Sequence, residues 1–278
     1  MPVTPINDTS LYIEDSGGDG RPVVLIHGWP LSAETWGPQV PALVAAGYRV
    51  VSYDRRGFGR SSTGPVYDYD TLARDLAGLI ETLDLEDATL VGFSMGGGEV
   101  ARYLSRHGSQ RIRSVVFAAS VTPFMMESDD NPDGPLTTSA AEKMESQLRA
   151  DRAAFFDTFT SQFFSVKSML GLVSSLKVPE ATREMAMRIC LESDREAALA
   201  CLQAFGTTDF RDDLKTVTCP TLVLHGEGDG IVPFDGSGAL THAAIRDSRM
   251  VLIPDAPHGV NASHPAAFNA ALLEFLAL

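Results

Sequence analysis

The chain has 278 residues, 44% of them hydrophobic, with a formal net charge of −14, a mean hydropathy of +0.02 and an isoelectric point near 4.8. That length suits one large α/β domain with an ample core, and so negative a charge repels nucleic acid and anionic membranes, so neither is expected as a partner. No apolar run approaches the roughly 18 residues that span a bilayer, and Cys190, Cys201 and Cys219 lack the spacing of a disulfide framework or a zinc site.

In chain order, MPVTPINDTS has neither a basic nor an apolar leader region, so no secretory signal is expected and a reducing cytoplasm is the expected setting. LYIEDSG reads as an antiparallel edge strand. Then PVVLIHG (22–28), YRVVSYD (48–54), ATLVGF (88–93) and RSVVFAAS (113–120) are continuously apolar and β-branched, as strands buried on both faces of a parallel sheet are. Between them TWGPQVPALVAAG, YDTLARDLAGLIETL and GGGEVARYLSRHG carry apolar residues at helical spacing. The repeated βαβ rhythm predicts an α/β fold with an open, mostly parallel, doubly wound sheet.

The rhythm stops near residue 121 and resumes at Cys219. MESDDNPDGP (126–135) is a cluster of turn formers, and DRAAFFDTFTSQFF and PEATREMAMRICLESDREAALACLQAF carry only helical pattern. The expectation is a core of 1–120 and 213–278 with a wholly helical lid, 121–212, over the carboxyl ends of the strands, where ligands of such sheets sit. Within the turn cluster, Asp129, Asn131, Asp133 and Gly134 match the opening of a calcium-binding loop. Ala140 stands where the bidentate glutamate belongs, so a surface turn is the preferred reading and no metal is expected. PTLVLHG (220–226), DGSGALTHAAI, SRMVLIPD (248–255) and SHPAAFNAALLEFL then complete the alternation.

Gly92-Phe93-Ser94-Met95-Gly96 joins a predicted strand to a predicted helix, the context in which G-x-S-x-G is a nucleophile elbow rather than a glycine-rich turn. A serine hydroxyl needs a base to take its proton and donors to hold the oxyanion it creates. On this scaffold an acid and then a histidine must follow, each after a later strand. Asp229 and His258 satisfy that order. Glu227 is the rival acid, two residues away, and Asp255 lies too close to His258 to orient it. His225 comes too early for the order, His264 begins the last helix as a cap or surface residue, and His107 and His242 read as surface. The backbone N–H of Met95, with that of Trp29 in LIHGWP, should form the oxyanion hole, and His27 reads as a structural hydrogen-bonder.

With HGWPLSAETW, DRRGFGRSS, GFSMGGGE, AFGTTDFR, HGEGDGIVPF and DAPHG in order, the sequence resembles the cofactor-free bacterial haloperoxidases, also described as aryl esterases or perhydrolases, nearly end to end. The resemblance implies an α/β-hydrolase fold with a helical cap, no metal, haem or other cofactor, and a triad of Ser94, Asp229 and His258. It implies oxyanion donors at Trp29 and Met95 and a small-molecule ester as substrate, with hydrogen peroxide as a second acceptor. It also implies a pocket walled by Trp29, Phe93, Val121, Phe124, Phe159, Phe163, Phe205, Ile231 and Val232. It puts Pro30, beside Trp29, with peroxide use, and carries homo-oligomers as an expectation, although no interface is legible. VTPFMMESDDNPDG departs from the family pattern, which leaves the acyl-side wall open. Rival readings are a carbon–carbon bond or γ-lactam hydrolase on the same triad, or a small-molecule receptor on a hydrolase scaffold. Epoxide hydrolases and haloalkane dehalogenases are excluded because their elbow carries aspartate.

Overall fold

The computed structural model describes residues 3–167 and 174–278; residues 1–2 of the amino-terminal stretch and 168–173 of the expected lid lie outside it. In chain order the elements are β1 (Thr4–Ile6), β2 (Thr9–Leu11), β3 (Ile13–Asp15), β4 (Pro22–Ile26), α1 (Val40–Ala45), β5 (Arg49–Tyr53), α2 (Tyr69–Thr82), β6 (Ala88–Phe93), α3 (Met95–His107) and β7 (Ile112–Ala118). Next come α4 (Thr138–Ala150), α5 (Arg152–Phe163), β8 (Ser165–Lys167), β9 (Ser174–Leu176), α6 (Glu180–Glu192), α7 (Arg195–Thr207) and α8 (Arg211–Leu214). The chain closes with β10 (Thr221–Gly226), α9 (Gly238–Ala244), β11 (Arg249–Ile253), α10 (Val260–Ser263) and α11 (Pro265–Leu276).

Seven strands form the main sheet in the order β11-β10-β7-β6-β4-β5-β3, parallel throughout except for β3 against β5. All six residues of β6 are buried, as are all six of β10. That explains their unbroken apolar character: helices cover both faces, so neither face can be polar. Asp68 caps α2 by accepting the Thr71 N–H at 2.8 Å, and Asp151 and Asp194 cap α5 and α7 in the same way.

Three sequence expectations change. LYIEDSG is split between β2, which pairs with β1, and β3, the true edge strand. The first expected helix shrinks to a 3₁₀ turn, Ala33–Trp36, and the six-residue α1, since Pro38 and Pro41 cannot donate within a longer helix. The insertion is not wholly helical, because β8 and β9 form an antiparallel pair. Three-residue strands are too short to show a period. Tertiary contact supports this one: the Lys177 N–H donates to Phe164 O at 2.8 Å, and Val166 packs so closely on Gly228 that a Cβ there would lie 2.6 Å from it. The turn cluster closes on itself, with the Asn131 amide donating to the carbonyls of Phe124 and Met126, and Asp130 pairing with Arg211.

Candidate active site

The carboxyl ends of β4, β6, β7, β10 and β11 all open on the same edge of the sheet, so loops far apart in sequence meet there. Ser94 sits at the tip of β6 with φ +54° and ψ −118°, a left-handed conformation that costs a non-glycine residue about 1–3 kcal/mol. Its own backbone holds it there. The Ser94 N–H donates to Ala118 O at 2.8 Å, and its carbonyl accepts from Gly97 at 3.0 Å and Val121 at 3.3 Å.

His258 lies between β11 and α10. Its Nε2 is 2.9 Å from Ser94 Oγ and its Nδ1 is 2.7 Å from Asp229 Oδ2. Phe163 stands edge-on to the imidazole with centroids 4.9 Å apart, and Phe93 lies 5.3 Å away. The Gly259 N–H donates to Phe163 O at 2.9 Å, which ties the histidine loop to the end of α5. Asp229 follows β10 and is buried, and its Oδ1 accepts the N–H groups of Ile231 at 2.9 Å and Val232 at 2.8 Å. Burial pushes this carboxyl up, but the His258 charge and the hydrogen bonds from His225 and His258 outweigh it and hold the group well below the usual carboxylate range. Asp229 is therefore an anion ready to orient an imidazole and to stabilise its cation.

The rival acids face elsewhere. Glu227 is exposed, with its N–H bound to Ile253 O, and Asp255 is exposed and paired with Lys177. His264 leaves the N-terminus of α11 without a side-chain cap and is joined instead to Ser263 Oγ. His225, set aside on chain order, takes a place that sequence reasoning missed. It is fully buried, donates from Nε2 to Val232 O at 2.9 Å, and places the same nitrogen 3.2 Å from Asp229 Oδ2. The signal was available: a histidine four residues before the acid, at the end of a buried strand.

The loop after β4 runs directly past the serine, since a Cβ on Gly28 would lie 3.0 Å from Ser94 Cβ. Trp29 follows, joined to Pro30 by a cis peptide. Met95 opens α3, where the first backbone donors of a helix are unpaired and the dipole favours an anion. His27 is buried, and desolvation together with the Arg55 guanidinium keeps its pKa well below the usual value; as a neutral ring it accepts the Arg55 N–H at 2.9 Å and donates to Gly28 O at 2.8 Å.

Most of the remaining wall is aromatic. Trp29 packs on Phe159 at 5.3 Å and Phe205 at 5.6 Å, and its indole N–H donates to Ala198 O on α7 at 2.8 Å. Phe159 meets Phe163 at 5.5 Å, so the i, i+4 face of α5 does point toward His258. Val121 and Val232 are buried beside Ser94 and Asp229. Phe124 is only half-buried and lies under the Arg211 guanidinium, 5.4 Å from its ring centre, apart from this cluster. Outside the wall, Phe159 and Ile231 also line a cleft of about 560 Å³ between α4 and α5.

A serine, an imidazole and a buried carboxylate in hydrogen-bonded series at a strand-to-helix elbow can perform acyl transfer. A family model described as alpha/beta hydrolase fold matches residues 21–265. The chain belongs to that family. Within the family it falls among the non-heme haloperoxidases and esterase/perhydrolases. It is 41% identical to a putative non-heme chloroperoxidase of Synechocystis over 96% of this chain and 94% of that one. It is 33% identical to a bifunctional esterase/perhydrolase of Acinetobacter calcoaceticus over 99% and 98%. A crystal structure of bromoperoxidase from Bacillus anthracis superposes with a TM-score of 0.93 at 49% identity, covering 97% of this chain and 96% of that one. No helix among the described residues is long and apolar enough to cross a membrane.

The elbow depends on close backbone approach. A Cβ on Gly96 would lie 2.6 Å from the Ile26 carbonyl oxygen, and one on Gly92 would lie 2.5 Å from the Gly96 carbonyl oxygen. Neither oxygen can retreat without moving β4 or the first turn of α3. Gly96→Ala is expected to lower the free energy of unfolding by about 1–3 kcal/mol despite the better helix propensity of alanine, read as a lower urea midpoint. An unchanged midpoint would mean that the strand and helix have slack between them.

Proposed function

We propose that the protein hydrolyses small or aromatic carboxylic esters through an acyl-enzyme on Ser94, and that hydrogen peroxide competes with water for the acyl group. The observation that carries this reading is the continuous contact from Ser94 Oγ through His258 to the buried Asp229 carboxylate at the tip of β6. Ser94 Oγ attacks the carbonyl carbon while His258 Nε2 takes its proton. The carbonyl electron pair becomes an oxyanion held by the Met95 and Trp29 N–H groups. Collapse of the tetrahedral adduct expels the alcohol, which receives the proton from His258. Water or peroxide then adds to the acyl-enzyme with His258 again as base, releasing a carboxylic acid or a peracid and restoring Ser94.

Trp29, Phe93, Phe159, Phe163 and Phe205 make the surroundings of this centre dry and aromatic, which suits an uncharged acyl or aryl group. The segment 121–212 acts as a cap in this reading, with the cleft between α4 and α5 as its entrance. A carbon–carbon bond hydrolase acting on acidic diketones would want a cation at the wall, and among the described residues the aromatic cluster offers none.

The test is turnover of p-nitrophenyl acetate with and without hydrogen peroxide. Multiple turnovers are expected, and peroxide should divert part of the product to peracetic acid, read by bromination of an added phenol in the presence of bromide. Turnover without peracid would confine the enzyme to hydrolysis. Binding without turnover would favour a receptor.

A further inference from the structure

Arg55 and Glu99 form an ion pair with side-chain exposures of 1% and 0%, Nε to Oε2 at 2.8 Å, and neither takes part in the acyl transfer. Withdrawing two charges from water is costly, and hydrophobic replacements of such pairs are often no less stable, so stability alone is a weak reason for one to be there. Its position is informative. Glu99 is on α3 four residues after Met95, one helical turn along a rigid element. Arg55 follows β5 and forks: as its Nε reaches Glu99, its Nη2 donates to His27 O at 2.8 Å, while its backbone N–H donates to His27 Nε2 at 2.9 Å. His27 is thus held by both its ring and its carbonyl, immediately before Gly28 and Trp29. The Tyr53 hydroxyl donates to the other oxygen of Glu99.

We propose that Arg55 and Glu99 are positioning residues of the oxyanion hole, setting the loop that carries the Trp29 N–H against the helix that carries the Met95 N–H. This rests on the reading of those two groups as the oxyanion donors. The two N–H groups come from segments 66 residues apart in sequence and must converge on one oxygen, with donor distances of about 2.7–3.1 Å. A guanidinium can hold a carboxylate and a carbonyl in different directions at once. A lysine ammonium lacks that fixed planar fork.

The experiment compares wild type, Arg55→Lys, Glu99→Gln and Tyr53→Phe. Active sites are counted by stoichiometric labelling with a fluorophosphonate, and thermal unfolding is followed in parallel. Three quantities are then read: kcat per titrated site and KM for p-nitrophenyl acetate, and affinity for trifluoroacetophenone. Ser94 Oγ adds to the carbonyl carbon of that ketone, its proton passes to His258, and the carbonyl electron pair becomes an alkoxide in the hole.

A positioning role predicts that Arg55→Lys and Glu99→Gln lower per-site kcat about 10–100-fold, less than outright loss of a donor. KM should change little, and affinity for the ketone should fall in the same proportion. Tyr53→Phe should show the same pattern at about 2–10-fold, as for loss of one hydrogen bond, and it decides the matter if the charge variants do not fold. Variants that unfold earlier but match wild type per site in kcat and ketone affinity would overturn the proposal alone. A wild type that turns over ester yet ignores the ketone would overturn the oxyanion-hole reading and this proposal with it.

Discussion

Ser94→Ala is expected to lower kcat/KM for p-nitrophenyl acetate by about a thousandfold or more, the size seen when a triad member is removed. The hydroxyl is small and its loss leaves the fold in place, because the strained backbone at φ +54° is held by bonds from Ser94 N–H and O rather than by the side chain. The variant should keep the unfolding free energy of the wild type within about 1 kcal/mol and should fail to form an acyl adduct visible by mass spectrometry. A variant that retains activity would show that Ser94 is not the nucleophile, and the account of the elbow would be wrong.

Asp229→Asn is expected to lower kcat near neutral pH by about 10⁴-fold, a loss comparable with removal of the nucleophile. An amide is isosteric with the carboxyl and its oxygen can still accept the Ile231 and Val232 N–H groups, so the loop should persist. It cannot charge, and if its NH₂ faces His258 Nδ1 it selects the tautomer with the proton on Nε2, which leaves no base for Ser94. The same substitution changes the pH dependence of stability. The Asp229 carboxyl is held below its unfolded value, so its contribution is present above an unfolded pKa of about 3.9 and is lost as pH falls through the lower folded value. Wild type should therefore lose stability on acidification below about pH 4, and Asp229→Asn should give a shallower slope there. Urea titrations between about pH 3 and pH 7 read the difference; parallel slopes would mean that Asp229 is not held ionised by its neighbours.

The order of strands and helices was legible because each buried strand of a parallel sheet must be apolar at successive positions, and each covering helix apolar along one face. The serine was legible because a strained turn between strand and helix leaves room only for glycine at positions 92 and 96. Asp229 and His258 were legible because their loops follow later strands in the required order. These are local constraints, or constraints of chain order, and one sequence carries them.

Tertiary structure decided what depends on which distant groups become neighbours. The separation of Asp229 from Glu227 is a matter of burial: one faces the imidazole in a dry loop and the other faces solvent, although two residues in a turn look alike in sequence. The β8–β9 pair forms in a segment that reads as wholly helical, because Val166 finds the bare backbone at Gly228. Phe124, matched to the wall by resemblance, lies instead beneath Arg211 beside the irregular turn at 126–136, where the family pattern breaks. His225 left only its spacing from Asp229 as a signal, and the Arg55–Glu99 pair had no signature at all. A buried polar group is recognised only by its partners, and those partners are brought together by the sheet.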